Sequence, residues 1–139
     1  MAEDRDVGQA IVDAARTCVG GAFRLHGRDP ATGLDCVGLV VCALEGAGCR
    51  RAAHVVPTGY HMRGGNLAQQ QAALIAAGLQ RASNHQPGDI VMVRPGPAQH
   101  HLMVATGEGF IHAHAGLRRV VEMPGLSPWP VISVWRSFP

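Results

Sequence analysis

The sequence predicts an α+β domain in which helices come first and an antiparallel sheet of about five strands follows. Three observations predict it. In the first half, apolar residues recur at three- and four-residue spacing, the period of a helix face. After Ser83 they alternate, the period of a strand with one buried face. The connections of the second half are short and rich in glycine and proline, and they suit hairpins rather than crossovers.

Each element follows from local chemistry. Over residues 6–19, Val7, Ala10, Ile11, Ala14, Ala15 and Cys18 share a helical face, and Gly20-Gly21 stops the helix. Residues 23–33 form a loop, with turn signals at Asp29-Pro30 and Thr32-Gly33. A second helix spans residues 36–47 and buries Leu39, Val40, Ala43, Leu44 and Ala47. Asp35 stands at its N-cap, so Cys36 falls in its first turn. Residues 50–65 read as an irregular connection, broken by Pro57, Gly59 and Gly64-Gly65, that could line a site. Asn66 caps a third helix with Leu67, Leu74 and Ile75 on its apolar side and Gly78 near its end.

Gln86-Pro87-Gly88-Asp89 then turns the chain into a strand at residues 90–93, which Pro95-Gly96-Pro97 breaks. Residues 101–106 and 110–114 pair around Gly107-Glu108-Gly109. Residues 118–123 and 131–135 supply the last two strands, across a Pro/Gly/Ser loop.

The 139 residues make one domain, with enough apolar content to fold without staples; 18 glycines and few charges fit a loop-rich mixed fold. A net charge of +2 with no basic stripe excludes a nucleic-acid binder, and Arg50-Arg51 and Arg118-Arg119 read as solvated pairs. The charged N-terminus has no apolar core of a secretion signal, and no segment is long enough to span a membrane. The expectation is a chain made in the cytoplasm and kept reduced unless something else carries it out. The cysteines (Cys18, Cys36, Cys42, Cys49) show no C-x-x-C pair, which speaks against a disulfide framework or a structural zinc site.

The address of Cys36 matters because a thiol must ionise before it attacks. A helix N-terminus or a nearby imidazolium brings a cysteine from about 8.5 down to about 3.5–7.5. Taken alone, Cys36 reads slightly better as a small buried residue at the head of a core helix. The histidines change the balance: four of the eight, His100, His101, His112 and His114, crowd one hairpin.

Opposed residues of an antiparallel pair share a face, so an even loop puts His101, His112 and His114 together and His100 on the other side. Cys36 then attacks, His101 takes the thiol proton and His112 orients His101, with the N–H groups at the helix start available to an oxyanion. A zinc site on His101, His112, His114 and a cysteine ranks lower, because it lacks short chelating loops and a nearby carboxylate base. No metal is expected. His26, His54, His61 and His85 read as loop or surface groups, with His61 and Tyr60 bordering the cleft; Cys18, Cys42 and Cys49 read as core or surface.

Three blocks, in order, resemble the NlpC-type (NlpC/p60) cell-wall cysteine peptidases of the papain-like superfamily. "GLDCVGLV" at residues 33–40 resembles the nucleophile motif, "QPGDIVMV" at 86–93 the turn into the sheet, and "HLMVATGEGFIHA" at 101–113 the base strand and third polar residue. The resemblance covers residues 19–121 and implies a nucleophile helix packed on a central antiparallel sheet. It implies Cys36 as nucleophile, His101 as base and His112 as third member, with no cofactor. The implied substrate is the peptidoglycan stem peptide, at the bond between γ-D-glutamate and a diamino acid.

Asp35, Phe23, Val37, Tyr60 and His114 are the expected substrate-binding residues. Two depart from the family: Val37 and Phe23 stand where serine and tyrosine are common. Those hydroxyls, with the aspartate matched by Asp35, help hold a free amino terminus, so their loss suggests cleavage within intact wall rather than of free fragments. Short stand-alone members resemble peptidases of phage tails and phage-like gene transfer particles. That implies a tail-hub or tail-tip partner and action in the periplasm and wall of a recipient. A wall amidase or acyltransferase on the same residues, or an inactive tail-assembly or wall-binding module, are the alternatives.

Overall fold

The computed structural model describes residues 2–55 and 67–137. Pro57, Gly59, Tyr60, His61, Gly64-Gly65 and the expected cap Asn66 lie outside the described residues. The element order is α1 (Ala2–Arg16), β1 (Arg28–Asp29), β2 (Gly33–Leu34), α2 (Cys36–Gly46), a 3-10 turn (Ala52–Val55), α3 (Leu67–Ala76), β3 (Leu79–Ala82), β4 (Ile90–Val93), β5 (His101–Ala105), β6 (Gly109–His114), β7 (Arg119–Pro124) and β8 (Val131–Ser137).

Among the described residues every strand of the main sheet pairs antiparallel, in the order β3-β8-β4-β5-β6-β7, and an isolated bridge from Phe23 to Leu34 is parallel. The main sheet has six strands where about five were expected. The additional one is β3, an edge strand of four residues with Leu79 buried and Gln80 and Arg81 exposed. So short a strand carries too little alternation to announce itself.

α2 is the centre of the helical layer. Its apolar residues are buried on nearly every side, from Cys36 through Val41 and at Ala43 and Leu44, so the single face expected from the spacing is too narrow. A helix apolar all round belongs inside a core. Here Ile11 and Ala15 of α1 share that core with Leu102, Val104, Ile111 and Ala113 of the hairpin. α3 buries Gln70, Ala73 and Leu74, but Ile75 is 60% exposed, against expectation. Ile75 stands roughly 100° around the helix from Leu74, outside the buried 70/73/74 set.

The opposite side of the sheet has a second, smaller core of Val91, Val93, Met103, Ala105 and Phe110, with Met123 and Trp129 packed on it. The expected turn at residues 86–89 feeds β4, and the buried Asp89 locks it. Asp89 accepts the Gln86 N–H at 2.7 Å and binds Arg136 through Nε and Nη2 at 2.9 and 2.8 Å. No helix among the described residues is long and apolar enough to cross a membrane.

Candidate active site

The site begins at the head of α2. Asp35 is its N-cap, and Oδ1 accepts the Gly38 N–H at 2.8 Å. The same carboxylate accepts the His26 N–H at 2.9 Å and pairs with Arg28 Nη1 at 2.9 Å. One side chain therefore fixes the helix start and ties the β1–β2 hairpin and residue 26 against it. Close approach is possible because residue 38 is glycine; a Cβ there would collide with the Gly27 carbonyl. Cys36 follows as the first helical residue and is buried. Six residues on, burial pushes the Cys42 thiol up to about 11, and it donates to the Arg28 carbonyl at 3.6 Å.

The second part comes from the hairpin. Val104 pairs with Ile111 and Ala105 with Phe110, and the Thr106 N–H donates to Gly109 O at 2.9 Å. The loop is thus Gly107-Glu108, an even count, and His101 and His112 share a face. Their rings meet, Nε2 of His101 to Nδ1 of His112 at 3.0 Å. His114 lies tilted against His112, with 5.5 Å between ring centroids, and its Nδ1 accepts the Leu117 N–H at 3.0 Å. His100 takes no part in the pair; its Nδ1 bonds Gln70 Oε1 at 2.7 Å.

Burial, reinforced by the neighbouring His112 and His114, pushes His101 down to about 3. Burial and His114 bring His112 to about 4. Both rings are neutral near pH 7, and one proton lies between them. If His101 donates it from Nε2, its Nδ1 carries a lone pair and can take a proton from a thiol. His112 then carries its own proton on Nε2, an atom that is buried with no hydrogen-bond partner among the described residues. In the other tautomer His112 donates, and His101 is protonated on Nδ1 and is no base. The orientation of this pair therefore decides whether His101 works.

Cys36, His101 and His112 line one cavity of about 590 Å3, together with Asp35, Phe23 and His114. Val37 is not on its wall: it is 1% exposed and packs in the helix-side core. The cavity also holds Leu25, Gln99 and Trp129, which the sequence did not single out, and two histidines it placed elsewhere: His26, read as a loop or surface group, and His100, expected on the far side of the hairpin, which precedes β5 and so reaches the cavity wall. His26 has a left-handed backbone, with φ 61°, that spacing cannot reveal. Trp129 sits in the Pro/Gly/Ser loop, where an aromatic flanked by prolines was the available signal. Among the described residues no group of three or more His, Cys, Asp or Glu side chains is arranged to hold a metal ion. A thiol at the positive end of a helix and a neutral imidazole in one cavity suit nucleophilic attack on a carbonyl.

No family model and no curated protein matches the sequence. Solved structures do. NlpC1 from Trichomonas vaginalis superposes with a TM-score of 0.68 at 21% identity, over 94% of this chain and 45% of that one. The NlpC/p60 domain of the peptidoglycan hydrolase SagA matches with a TM-score of 0.54 at 23% identity, over 94% of this chain and 98% of that one. The peptidoglycan hydrolase RipB from Mycobacterium tuberculosis matches with a TM-score of 0.62 at 20% identity, over 97% and 66%. The chain thus spans under half the length of the Trichomonas protein and nearly all of the SagA domain. The three α-helices and antiparallel sheet of the described residues, with the Cys36 helix packed on the hairpin, are the fold of the NlpC/p60 domains.

Proposed function

We propose that this chain is a cysteine peptidase domain that hydrolyses peptidoglycan stem peptides, at the bond between γ-D-glutamate and a diamino acid. One observation carries the reading: Cys36 and the His101–His112 pair line the same cavity, on a fold shared with peptidoglycan hydrolases. His101 takes the Cys36 proton on Nδ1, and the sulfur attacks the scissile carbonyl carbon. The start of α2 offers its positive end to the oxyanion. His101 returns the proton to the leaving amine, which departs as the thioester forms. Water, deprotonated by His101, then releases the acid and restores the thiol. His112 holds His101 in the productive tautomer.

Intact wall peptides are the preferred substrate in this reading. Phe23 offers no hydroxyl, Val37 lies in the core, and the Asp35 carboxylate already serves Gly38, His26 and Arg28. A free amino terminus would have to compete with those partners. Carriage by a phage tail or phage-like particle, with a tail-tip partner and action in the recipient's periplasm and wall, rests on the sequence resemblance. Co-purification of the chain with tail proteins from intact particles tests it.

The deciding experiment is digestion of purified sacculi with wild type and Cys36→Ala, followed by mass spectrometry of the released ends. New γ-D-glutamyl and diamino-acid ends with wild type alone are expected. Ends at another bond identify an amidase, and no difference between the two proteins overturns the enzyme reading.

A further inference from the structure

The loop between β7 and β8 carries a residue that the proposed chemistry does not use. Trp129 stands between Pro128 and Pro130. Ser127 Oγ donates to the Trp129 carbonyl at 2.7 Å and accepts the Trp129 N–H at 3.1 Å, which fixes the loop. The indole packs on the outer core and lines the cavity. Its centroid is 5.7 Å from His101 and 5.6 Å from His112, with interplanar angles of 87° and 88°. The two imidazoles are themselves 5.1 Å apart at 83°. The three rings make a nearly equilateral triangle of mutually perpendicular planes. The His101–His112 hydrogen bond runs along one side of it, and the indole stands against that side.

We infer that Trp129 is a positioning residue: it covers the hydrogen bond between His101 and His112 and holds His101 so that Nδ1 is the nitrogen left for the thiol. The catalytic half of this inference rests on the peptidase reading above. A hydrogen bond between neutral rings has a small net value when water competes for both nitrogens, and a larger one when water is kept away. Perpendicular aromatic pairs add a preference for one orientation beyond the area they bury. The flanking prolines and the Ser127 clamp restrict the loop, so the indole is in place before substrate arrives. The ionisable groups around the pair are His114 on β6, Cys36 on α2, His26 and Asp35 before it, and His100 before β5. Each nitrogen of the shared bond faces the other ring at 3.0 Å.

The test is nitrogen NMR of histidine-labelled protein, for wild type, Trp129→Phe, Trp129→Leu and Trp129→Ala. Wild type and Trp129→Phe are expected to show His101 protonated on Nε2, a slowly exchanging shared proton, and titration far below the ordinary imidazole range. In Trp129→Leu and Trp129→Ala the shared proton exchanges fast, and the His101 midpoint rises by about one pH unit or more. On sacculi, kcat falls roughly tenfold in these two variants with KM little changed, and Trp129→Phe restores most of it. If Trp129→Ala does not fold, Trp129→Leu decides. A Trp129→Leu protein with wild-type proton exchange and titration overturns the inference. A wild type that releases nothing from sacculi sinks the peptidase reading instead, and the resonance comparison still judges Trp129.

Discussion

The two faces of the β5–β6 hairpin are made from the same ten or so residues and do different work. Leu102, Val104, Ile111 and Ala113 point into the helical layer and are apolar to the end of the strands. Met103, Ala105 and Phe110 begin the other face in the same way. That face then changes, at the end away from the turn, to His101 and His112 in contact, with His114 tilted against His112. The helix side supplies the stability that lets the outer side bury imidazoles, which alone would be costly. His112 is the sharpest case, 1% exposed with one ring nitrogen unpartnered among the described residues.

Exchanging neighbours breaks this division outright. The double variant His112→Ala, Ala113→His moves one imidazole from the outer face to the helix side without changing composition. Activity on sacculi is expected to fall by roughly 10²–10⁴, the scale of a lost acid–base partner. Stability falls too, because the ring replaces a buried methyl where Ala113 packs in the helix-side core at the cavity wall, and overpacking costs about 1–3 kcal/mol. A variant that kept wild-type turnover would mean that the two faces are not distinct in function. Ile111→Ala probes the other half: it should cost about 2–5 kcal/mol in denaturant unfolding, while activity per folded molecule changes little.

Much of this was readable from the chain. The Asp35 cap and the first-turn position of Cys36 follow from short-range rules, so local residues predict them; Gly107-Glu108-Gly109 marked the hairpin but left the loop length open, and the pairing selects the even Gly107-Glu108 loop. What was not readable depends on which elements meet. The burial of α2 on nearly all sides needs α1 and the sheet to close around it. The contact of Trp129 with both imidazoles needs the β7–β8 loop to fold back across the outer face. His100 bonding Gln70 joins positions that no periodicity links. Tyr60 and His61 fall outside the described residues, so their expected place at the cleft border stays an expectation.

Acidification separates the faces more gently. His101 titrates at about 3 and His112 at about 4 in the folded chain, below the ordinary value of 6.5, because burial disfavours the charged rings. Between those values and 6.5 the unfolded chain binds protons that the folded one refuses. Stability therefore rises with pH across that window and is lost as pH falls through it. The denaturant midpoint should drop from pH 7 to pH 5 in wild type and drop less in His101→Gln. An equal drop in both would remove His101 from the account. The helix-side substitution Ile111→Ala should lower the midpoint at every pH without altering that slope.

The smallest effect comes from a neighbouring pair on α3. Leu74 is 1% exposed and belongs to the helix-side core, whereas Ile75 is 60% exposed one residue later. Both are large and aliphatic, so composition gives them equal weight and only the turn of the helix divides them. Ile75→Lys removes little buried area and places a cation in the last turn of α3, where the helix end is negative. Its effect on unfolding free energy should lie within about 0.5 kcal/mol, against about 2–5 kcal/mol for Leu74→Ala. Chemical denaturation with an unchanged m-value checks both. A large loss from Ile75→Lys would mean that a partner surface covers this face, because nothing within the described chain does.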